Sequence, residues 1–263
     1  MKQLPIVLTI AGSDSGGGAG IQADLKTFAA LGVHGASVIT CVTAQNPKHV
    51  MRVHPCPPAM VQGQIEAIFD ELPPAAIKTG MLYSAGIIRA IVASLKKHQK
   101  RAPLIVDPVM ISTSGKPLLK NSAINVLKRE LLPLAALVTP NLDEAARLTG
   151  KTLRSVEDMR QAARDIHDEF GCAALVKGGH LRGASEAADI FFDGKTELLL
   201  TAPFVKNVRT HGTGCTYSAG IAAYLALGQP LPTAISNAKQ YVTQAIAQHY
   251  RVTGHDVLEH FPK

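Results

Sequence analysis

A glycine-bracketed turn in the C-terminal third of the chain has the residue types of a phosphate-binding site. It reads Thr210-His211-Gly212-Thr213-Gly214-Cys215-Thr216 and continues into an apolar, alanine-rich segment, residues 217–227, that is predicted to be a helix. Gly212 and Gly214 permit backbone conformations closed to residues with a Cβ, so successive N–H groups can converge on one point. Helix N-termini favour anions. The turn is therefore predicted to bind an anion, the alternative being a flexible turn before a helix.

Cys215 lies at the mouth of the same predicted helix. A thiol in this position commonly has a lowered pKa, because the thiolate is stabilised by the positive end of the helix dipole, and it can act as a base or a nucleophile. We therefore expect Cys215 to be a reactive group beside the anion, with amides supplied by Gly212, Thr213 and Gly214.

Another glycine-rich turn, residues 11–20 (AGSDSGGGAG), follows the first predicted strand. In chain order, residues 11–20 are the first glycine-rich turn and residues 210–216 are the second. It lacks the Gly-Lys-Ser/Thr ending of a nucleotide-binding P-loop. Residues 18–23 fit a dinucleotide pattern, but such a site needs an acid after the second strand, and residues 25–65 contain no Asp or Glu. The glycines are expected to let the backbone approach a compact substrate, the alternative being a purely structural turn.

Three side chains near the carboxyl ends of the first three predicted strands are candidates for binding that substrate. Asp24 lies one turn into the following helix, Gln45 follows the second strand, and Met81 follows the third. The carboxyl ends of parallel strands form the binding crevice of such sheets. An amide offers a donor and an acceptor, which suits the edge of a nitrogen heterocycle. Asp24 could instead only complement the helix dipole, and Met81 could only pack.

Two acids at later strand ends are candidates for a metal site. Asp107 ends the fourth predicted strand, and Glu144 follows the fifth, one helical turn after Asn141. Both strand ends face the same crevice, and Mg²⁺ prefers oxygen ligands and keeps several waters. Asp107 and Glu144 are therefore predicted to hold a hydrated Mg²⁺ that bridges phosphates. The alternative for Asn141 and Glu144 is a helix-capping pair.

Lys177 ends the sixth predicted strand, where its ammonium group could meet a triphosphate or could simply be solvated. Two histidines adjoin glycines: His180 follows Gly178-Gly179, and His211 precedes Gly212. Both are interpreted as polar loop residues rather than ligands.

Short apolar runs alternate with amphipathic segments along the chain, and these predicted strands and helices position the candidate site residues. Strands too apolar for one-sided exposure indicate a mainly parallel sheet with helices on both faces. Two further strands across Asp193-Gly194-Lys195 predict an antiparallel hairpin. No linker interrupts the pattern, so residues 1–263 are predicted to form a single α/β domain. The expected strands are residues 6–11, 36–44, 75–79, 104–109, 135–139, 173–177, 188–192 and 196–201, and the expected helices are 21–31, 59–70, 85–97, 123–132 and 156–169.

Composition excludes several classes of protein. The net charge is +7, but the chain has no Trp, only 5% aromatic residues and no stripe of basic and aromatic residues that could stack bases, which argues against nucleic-acid binding. No apolar run is long enough for a membrane span, and the N-terminus lacks a signal-peptide pattern. Four scattered cysteines predict free thiols rather than a zinc site or disulfides. We expect a cytoplasmic protein that binds an anionic small molecule.

Taken together and in this order, the motifs resemble the ribokinase superfamily, specifically the hydroxymethylpyrimidine and phosphomethylpyrimidine kinases of thiamine biosynthesis. The resemblance runs nearly end to end. In most of the superfamily an aspartate stands where this chain has Cys215. The motifs that bear the resemblance are AGSDSGGGAGIQADLKT (residues 11–27), KTGM (78–81), DPVM (107–110), TPNLDE (139–144), VKGGH (176–180) and HGTGCT (211–216).

This resemblance implies ATP- and Mg²⁺-dependent phosphorylation of 4-amino-5-hydroxymethyl-2-methylpyrimidine and then of its monophosphate, at one site. It implies that Cys215 takes the hydroxyl proton while the amides of residues 212–215 and Lys177 handle the transferring group. The pyrimidine would be oriented by Asp24 and Gln45. Gly12, Met81 and Val109 would surround it, Asn141 would contact ATP, and the protein would be a homodimer.

Two other functions stay open. A pyridoxal kinase of the same branch is the nearer one, alone or as a second activity, although Gln45 suits the aminopyrimidine better than pyridoxal. A catalytically silent ligand-binding regulator would keep the fold but release no ADP with any alcohol. Residues 112–117 are a candidate mobile loop over the site.

Overall fold

The structure is a computed structural model that describes residues 3–98, 102–111, 115, 117–179, 181, 185–205, 208 and 211–262. The strands are β1 (Ile6–Asp14), β2 (His34–Gln45), β3 (Val50–Pro55), β4 (Ala76–Thr79), β5 (Leu104–Val106), β6 (Leu137–Val138), β7 (Ala173–Lys177), β8 (Glu186–Phe192), β9 (Glu197–Pro203), β10 (Tyr250–Val252) and β11 (His255–Val257). The α-helices are α1 (Gly20–Ala30), α2 (Pro58–Glu71), α3 (Ala85–Lys97), α4 (Asn121–Val126), α5 (Leu142–Thr149), α6 (Val156–Phe170), α7 (Thr213–Ala226) and α8 (Leu231–Ala247).

Nine of these strands form one sheet in the order β3-β2-β1-β4-β5-β6-β7-β8-β9. The six strands from β2 to β7 in this order are parallel to one another. Antiparallel partners extend both edges, β3 beside β2 and the β8–β9 hairpin beside β7. The predicted α/β class, the parallel centre and the hairpin are confirmed.

The strands are apolar on both sides because helices cover both faces of the sheet. On β1, Leu8 and Ile10 face one core, which is completed by α2 to α6. Val7 faces the other core, which is completed by α1, α7 and α8. The same alternation continues across the sheet, since side chains of successive strand residues point to opposite faces. Helices on both faces explain why the central strands are nearly continuous apolar runs.

The helix boundaries follow local capping signals. Ser84 caps α3, and its hydroxyl accepts the Ile87 N–H, which reproduces the predicted start of this helix. Capping boxes begin α5 at Asn141 and α6 at Ser155. The helix expected at residues 123–132 ends earlier, because α4 gives way to a π-helical turn at residues 127–131 and a 3₁₀ turn that contains Pro133.

Three elements are absent from the sequence prediction: β3, α8 and the separate β10–β11 hairpin. Strand β3 lies at the sheet edge, where Met51 and Arg52 are exposed and give no clean alternation. All four cysteines are free, as predicted. Among the described residues, no helix combines the length and the hydropathy needed to cross a membrane.

A buried ion pair fastens α8 to the sheet. The Lys239 ammonium group of α8 lies 2.7 Å from the Asp189 Oδ2 atom of β8 and also donates to the Ala187 carbonyl oxygen. The other carboxylate oxygen, Asp189 Oδ1, accepts the Gly178 N–H. Asp189 and Lys239 are almost inaccessible to solvent. Each charge therefore depends on the other for compensation.

We expect Asp189→Asn to lower the free energy of unfolding by about 3 to 5 kcal/mol, because it leaves the Lys239 ammonium group buried without a counter-charge. Urea denaturation measures this loss. The matched control is Asp165→Asn, whose partner Lys151 is 57% exposed and which should cost less than about 1 kcal/mol. Equal losses in the two variants would contradict the role given to the buried pair.

Candidate active site

The residues singled out in the sequence converge at the carboxyl edge of the parallel strands. The chain passes from β1 to β2 on one side and later places β4 on the other side of β1. A crevice opens where strand order reverses in this way, outside the carboxyl ends of the strands. The first glycine-rich turn leaves β1 at this edge, and the residues after β4, β5, β6 and β7 border the same edge.

The second glycine-rich turn enters α7 through Gly212, which has a left-handed backbone with φ of 87°. A Cβ atom at Gly212 would overlap the Gly18 carbonyl oxygen of the first turn. One at Gly20 would overlap the Gly12 carbonyl oxygen. The two glycine-rich turns therefore pack backbone against backbone, and this contact fixes where the first amides of α7 point.

The first turn closes around a side chain of its own. The Asp14 carboxylate accepts N–H bonds from Gly16, Gly18 and Ala19 at 2.8, 3.2 and 2.9 Å. Burial by itself raises the pKa of Asp14, but hydrogen bonds from His211 and the backbone outweigh burial and lower the pKa below its usual value. The amides of Gly16, Gly18 and Ala19 therefore bind an internal anion, which favours the structural-turn alternative for this part of the segment, whereas the substrate contact of Gly12 stays a prediction.

His211 joins the two turns. Its Nε2 atom lies 3.2 Å from Asp14 Oδ2 and 2.9 Å from the Gln45 side-chain nitrogen. His211 is therefore a polar turn residue, as interpreted from the sequence, and the structure adds that its side chain links the two turns. Gln45 ends β2, and its side-chain oxygen is 3.2 Å from the Thr43 hydroxyl. Its contact with the substrate stays a prediction.

Asp24 does not line the crevice. Its side chain is fully buried, and both carboxylate oxygens contact the Lys78 ammonium group at 2.9 and 3.0 Å. The Thr9 hydroxyl donates a further hydrogen bond to Asp24. The prediction that Asp24 contacts the substrate is corrected for this physical reason: the carboxylate serves to neutralise a buried lysine. Burial alone would lower the pKa of Lys78, but Asp24 raises it, so Lys78 stays protonated.

Cys215 lies in the first turn of α7, with the Gly20 N–H directed at its sulfur atom. Burial raises the pKa of this thiol to about 11, and the positive charge of Lys78 offsets burial only in part. The expectation of a lowered pKa is therefore wrong. The cost of burying a thiolate exceeds the stabilisation from the helix terminus and from Lys78, because Lys78 is already neutralised by Asp24.

Lys177 and Asp107 form an ion pair beside the same turn. The Lys177 ammonium group is 3.0 Å from Asp107 Oδ1, and it would lie 3.2 Å from a Cβ atom built on Gly214. Burial lowers the pKa of Lys177, but Asp107 and Glu144 reverse this effect and raise it. A protonated ammonium group thus lies against the start of α7, where the sequence predicted the anion.

Glu144 and Asn141 form the capping box of α5. The Glu144 carboxylate accepts the N–H groups of Asn141 and Met110, and the Asn141 side chain accepts the Glu144 N–H. Burial and the nearby Asp107 carboxylate raise the pKa of Glu144. The capping alternative is therefore realised, and it brings Glu144 close to Asp107 rather than away from it.

The remaining predicted residues form an apolar wall. Met81 packs in a small cluster with Cys41, and Val109 packs against this cluster with a left-handed backbone. A Cβ atom at Gly12 would lie 2.8 Å from the Cys41 sulfur atom and 3.4 Å from that of Met81. His180, Thr210 and most of the candidate mobile loop at residues 112–117 lie outside the described residues.

Comparisons with known proteins identify the family of the chain. The phosphomethylpyrimidine kinase family model matches residues 14–259. The chain belongs to this family. It is 50% identical over 260 residues to a hydroxymethylpyrimidine/phosphomethylpyrimidine kinase of Rhizobium meliloti, covering 97% of each chain. It is 51% identical over 240 residues to the Thiamine biosynthesis bifunctional protein ThiED of Geobacter sulfurreducens, covering 91% of this chain and 49% of that protein. The chain thus spans about half the length of this bifunctional relative.

Solved structures of two related kinases have the same fold. A pyridoxal kinase from Staphylococcus aureus in complex with AMP-PCP and pyridoxal superposes with a TM-score of 0.90 at 35% identity, covering 99% of this chain and 95% of the other. A phosphomethylpyrimidine kinase from Clostridium difficile superposes with a TM-score of 0.81 at 45% identity, covering 92% and 99%. The chain is therefore a kinase with the fold expected from its motifs.

We expect Gly212→Ala to lower kcat by roughly tenfold or more, because a Cβ atom there pushes the α7 amides away from the first turn. Steady-state kinetics with ATP measure the effect. The matched control is Gly171→Ala, which has a similar left-handed backbone with φ of 72° but no atom within 4 Å of the new Cβ. Both variants should lose some stability, whereas only Gly212→Ala should lose turnover. A similar kcat in both variants would show that the turn-to-turn contact is unimportant.

Proposed function

We propose that this chain transfers the γ-phosphoryl group of ATP to the hydroxymethyl group of 4-amino-5-hydroxymethyl-2-methylpyrimidine, and then to the resulting monophosphate, in thiamine biosynthesis. The observation that supports this most strongly is the approach of Lys177 to the glycine-bracketed start of α7. A protonated lysine and helix N-terminal amides at one point suit a phosphoryl group in transfer.

The chain's main catalytic task in this proposal is electrostatic. Phosphoryl transfer spreads negative charge over the equatorial oxygens and requires little covalent chemistry from the protein. The amides of Gly212, Thr213, Gly214 and Cys215 accept part of this charge, and Lys177 lies beside them. The Gly18 carbonyl packs directly against Gly212, and this contact orients the amides of the second glycine-rich turn before the substrates bind.

ATP and Mg²⁺ fit the acidic part of the site. Among the described residues no group of three metal-binding side chains occurs, so the protein offers the two carboxylates of Asp107 and Glu144. Their mutual repulsion raises the pKa of Glu144 in addition to burial, and a cation nearby would relieve it. Asp107 and Glu144 would hold the Mg²⁺, which would supply positive charge to offset the charge of the ATP phosphates. Asn141 lies next to Lys177, to which its backbone is bridged, and would contact ATP.

The acceptor side of the site suits an aminopyrimidine. Gln45 presents an amide to the crevice, where it can match both the amino group and a ring nitrogen. Met81, Val109 and Gly12 supply the apolar surface for the ring. Asp24 acts indirectly, since it neutralises Lys78 beneath this surface.

Cys215 takes the acceptor hydroxyl proton in this proposal. A base with a pKa of about 11 is strong but scarce at neutral pH, and its unprotonated fraction grows about tenfold per pH unit below that value. The amides and Lys177 therefore supply the larger share of catalysis near neutral pH, and the thiolate supplies a share that grows as the pH rises.

We expect kcat of the wild type for the pyrimidine alcohol to increase between about pH 7 and about pH 9. The pKa of the Cys215 thiol, about 11, lies above this range, so the thiolate fraction still grows as the pH rises. Cys215→Ala should remove this slope and lower kcat much more than it alters KM. Saturating steady-state assays of both proteins measure it. Parallel pH profiles in the two proteins would assign proton transfer to another group.

A pyridoxal kinase activity is the second candidate function, and the likeness to the Staphylococcus aureus pyridoxal kinase favours it. The substrate preference depends on Gln45 in our proposal. A desolvated polar edge without a partner costs about 1 to 3 kcal/mol, which corresponds to roughly ten- to a hundredfold in kcat/KM.

We expect ADP release with the aminopyrimidine alcohol and with its monophosphate, and a lower kcat/KM with pyridoxal. Gln45→Leu should lower kcat/KM for the aminopyrimidine alcohol by roughly ten- to a hundredfold and change the value for pyridoxal less. A coupled ADP assay with the three acceptors measures both effects. A higher kcat/KM of the wild type for pyridoxal would overturn the pyrimidine assignment, and no ADP with any acceptor would indicate a silent ligand-binding protein.

We also propose that the protein works in the cytoplasm as a homodimer. The four free cysteines suit a reducing compartment. Apolar side chains exposed on β2 and β3, Val42 and Met51, offer a surface for a second copy.

A further inference from the structure

A cavity of about 580 Å³ opens next to the site but holds none of the groups assigned to phosphoryl transfer. The first glycine-rich turn, residues 46–48 and the β10–β11 hairpin line it. Of the described residues around the crevice, Asp14 and His211 belong to both the cavity wall and the site. The cavity therefore adjoins the acceptor side of the crevice through His211, one residue before Gly212.

The proposed reaction sequence places a geometric demand on the acceptor side. The first acceptor is a hydroxyl group and the second is the phosphate attached to it, yet both must meet the same amides of α7. The monophosphate is longer than the alcohol at its reacting end only. Its ring must therefore lie farther from Cys215 than the ring of the alcohol, by the length of one phosphoryl group.

The inner wall of the crevice gives the ring no room to move. Gly12, Cys41 and Met81 are already in contact, and a single Cβ atom at Gly12 would meet the Cys41 sulfur atom at 2.8 Å. Gln45, which we assign to the acceptor, contacts His211, and His211 lines the cavity. A ring that moves away from Cys215 therefore moves towards this contact and the cavity beside it.

The side chains of Gln45 and His211 can separate without a large energetic cost. The His211 Nε2 atom cannot donate to the Asp14 carboxylate and accept from the Gln45 amide nitrogen at the same time, so one of these two contacts is always unsatisfied. When Gln45 turns to a substrate, His211 can donate to Asp14 and keeps a partner. Separation of Gln45 from His211 therefore leaves no buried polar group unpaired.

The cavity wall has the chemistry of a site for a small amino heterocycle. Tyr250 and Val252 are 44% and 48% exposed and supply apolar surface. Asn46, His211 and Thr253 add polar groups, and the charged residues of the wall are Asp14, Lys26, Lys48 and Asp256. Pockets of this volume that combine an apolar wall with a few polar groups are typical of small-molecule sites.

We propose that this outer cavity, between the first glycine-rich turn and the β10–β11 hairpin, receives the pyrimidine ring of the monophosphate during the second phosphoryl transfer. The proposal rests on the proposed function. The ring of the alcohol occupies the inner position at Gln45 and Met81, and the ring of the monophosphate occupies the outer position beside His211, at the mouth of the cavity. One set of amides then serves two acceptors of different length.

Tryptophan substitutions test this assignment, because the chain contains no Trp. Val252→Trp fills the outer cavity, so we expect kcat/KM for the monophosphate to fall about tenfold or more while kcat/KM for the alcohol stays within about twofold. Each acceptor is supplied pure, and ADP release is measured separately. The matched control is Leu199→Trp, at a 49% exposed position on β9, which should change neither value.

A second variant reports on the cavity without filling it. Tyr250→Trp keeps an aromatic ring in the wall, and its single indole should change its fluorescence when the monophosphate binds and not when the alcohol binds. Leu199→Trp should respond to neither ligand. These measurements need no turnover, so they also detect binding in a slow enzyme.

The outcomes separate this proposal from the proposed function. If the wild type phosphorylates both acceptors but Val252→Trp affects them equally or not at all, the outer cavity is overturned and the kinase function stands. If Tyr250→Trp responds equally to alcohol and monophosphate, the two ring positions are overturned. If the wild type phosphorylates the alcohol but not the monophosphate, the second transfer and the outer cavity both fail, whereas the first transfer stands.

Discussion

The contact between the two glycine-rich turns is the constraint on which the site depends. Gly212 can approach the Gly18 carbonyl only because it has no Cβ and tolerates a left-handed backbone. Asp14 holds the first turn rigid through three of its own amides, and His211 ties the second turn to Asp14. The first turn thus supports the second turn by direct packing and is not itself a second anion-binding site. This packing orients the amides at the start of α7 before any substrate is bound.

Buried charges at the same edge are arranged in pairs that perform different tasks. The Lys78–Asp24 pair is fully enclosed and neutral overall, so it stabilises the floor of the site and lends little charge to Cys215. Glu144 lies beside the Lys177–Asp107 ion pair. These three side chains carry two carboxylates and one ammonium group, so the cluster has one carboxylate without a counter-charge. A cation that arrives with ATP would complete it. The two pairs therefore differ in net charge: the Lys78–Asp24 pair is balanced, whereas the Lys177–Asp107 pair has a further carboxylate beside it.

Sequence patterns predicted the parallel sheet, the bounds of β7 and α3, and the edge at which the site forms, because apolar period and capping residues are local signals. They missed partnerships between distant residues. Nothing near Asp24 in the chain indicates Lys78, although a lysine inside the apolar strand β4 was itself a sign that a buried acid must lie nearby. His211 could not be assigned for the same reason, since Asp14 and Gln45 are brought to it only by the fold.

The raised pKa of Cys215 bears on how this family could replace the acid found elsewhere in the superfamily. A carboxylate at that position would be a buried anion facing Asp24 and Asp107, whereas a thiol is neutral and enters the same space at little cost. In the proposed mechanism the disadvantage is a base that is rarely ionised. Such a substitution is tolerable only where proton transfer is a minor part of the barrier, and phosphoryl transfer through a loose transition state meets that condition. The neutral thiol also avoids repulsion of the second, phosphorylated acceptor, whose charge would have to approach a carboxylate directly.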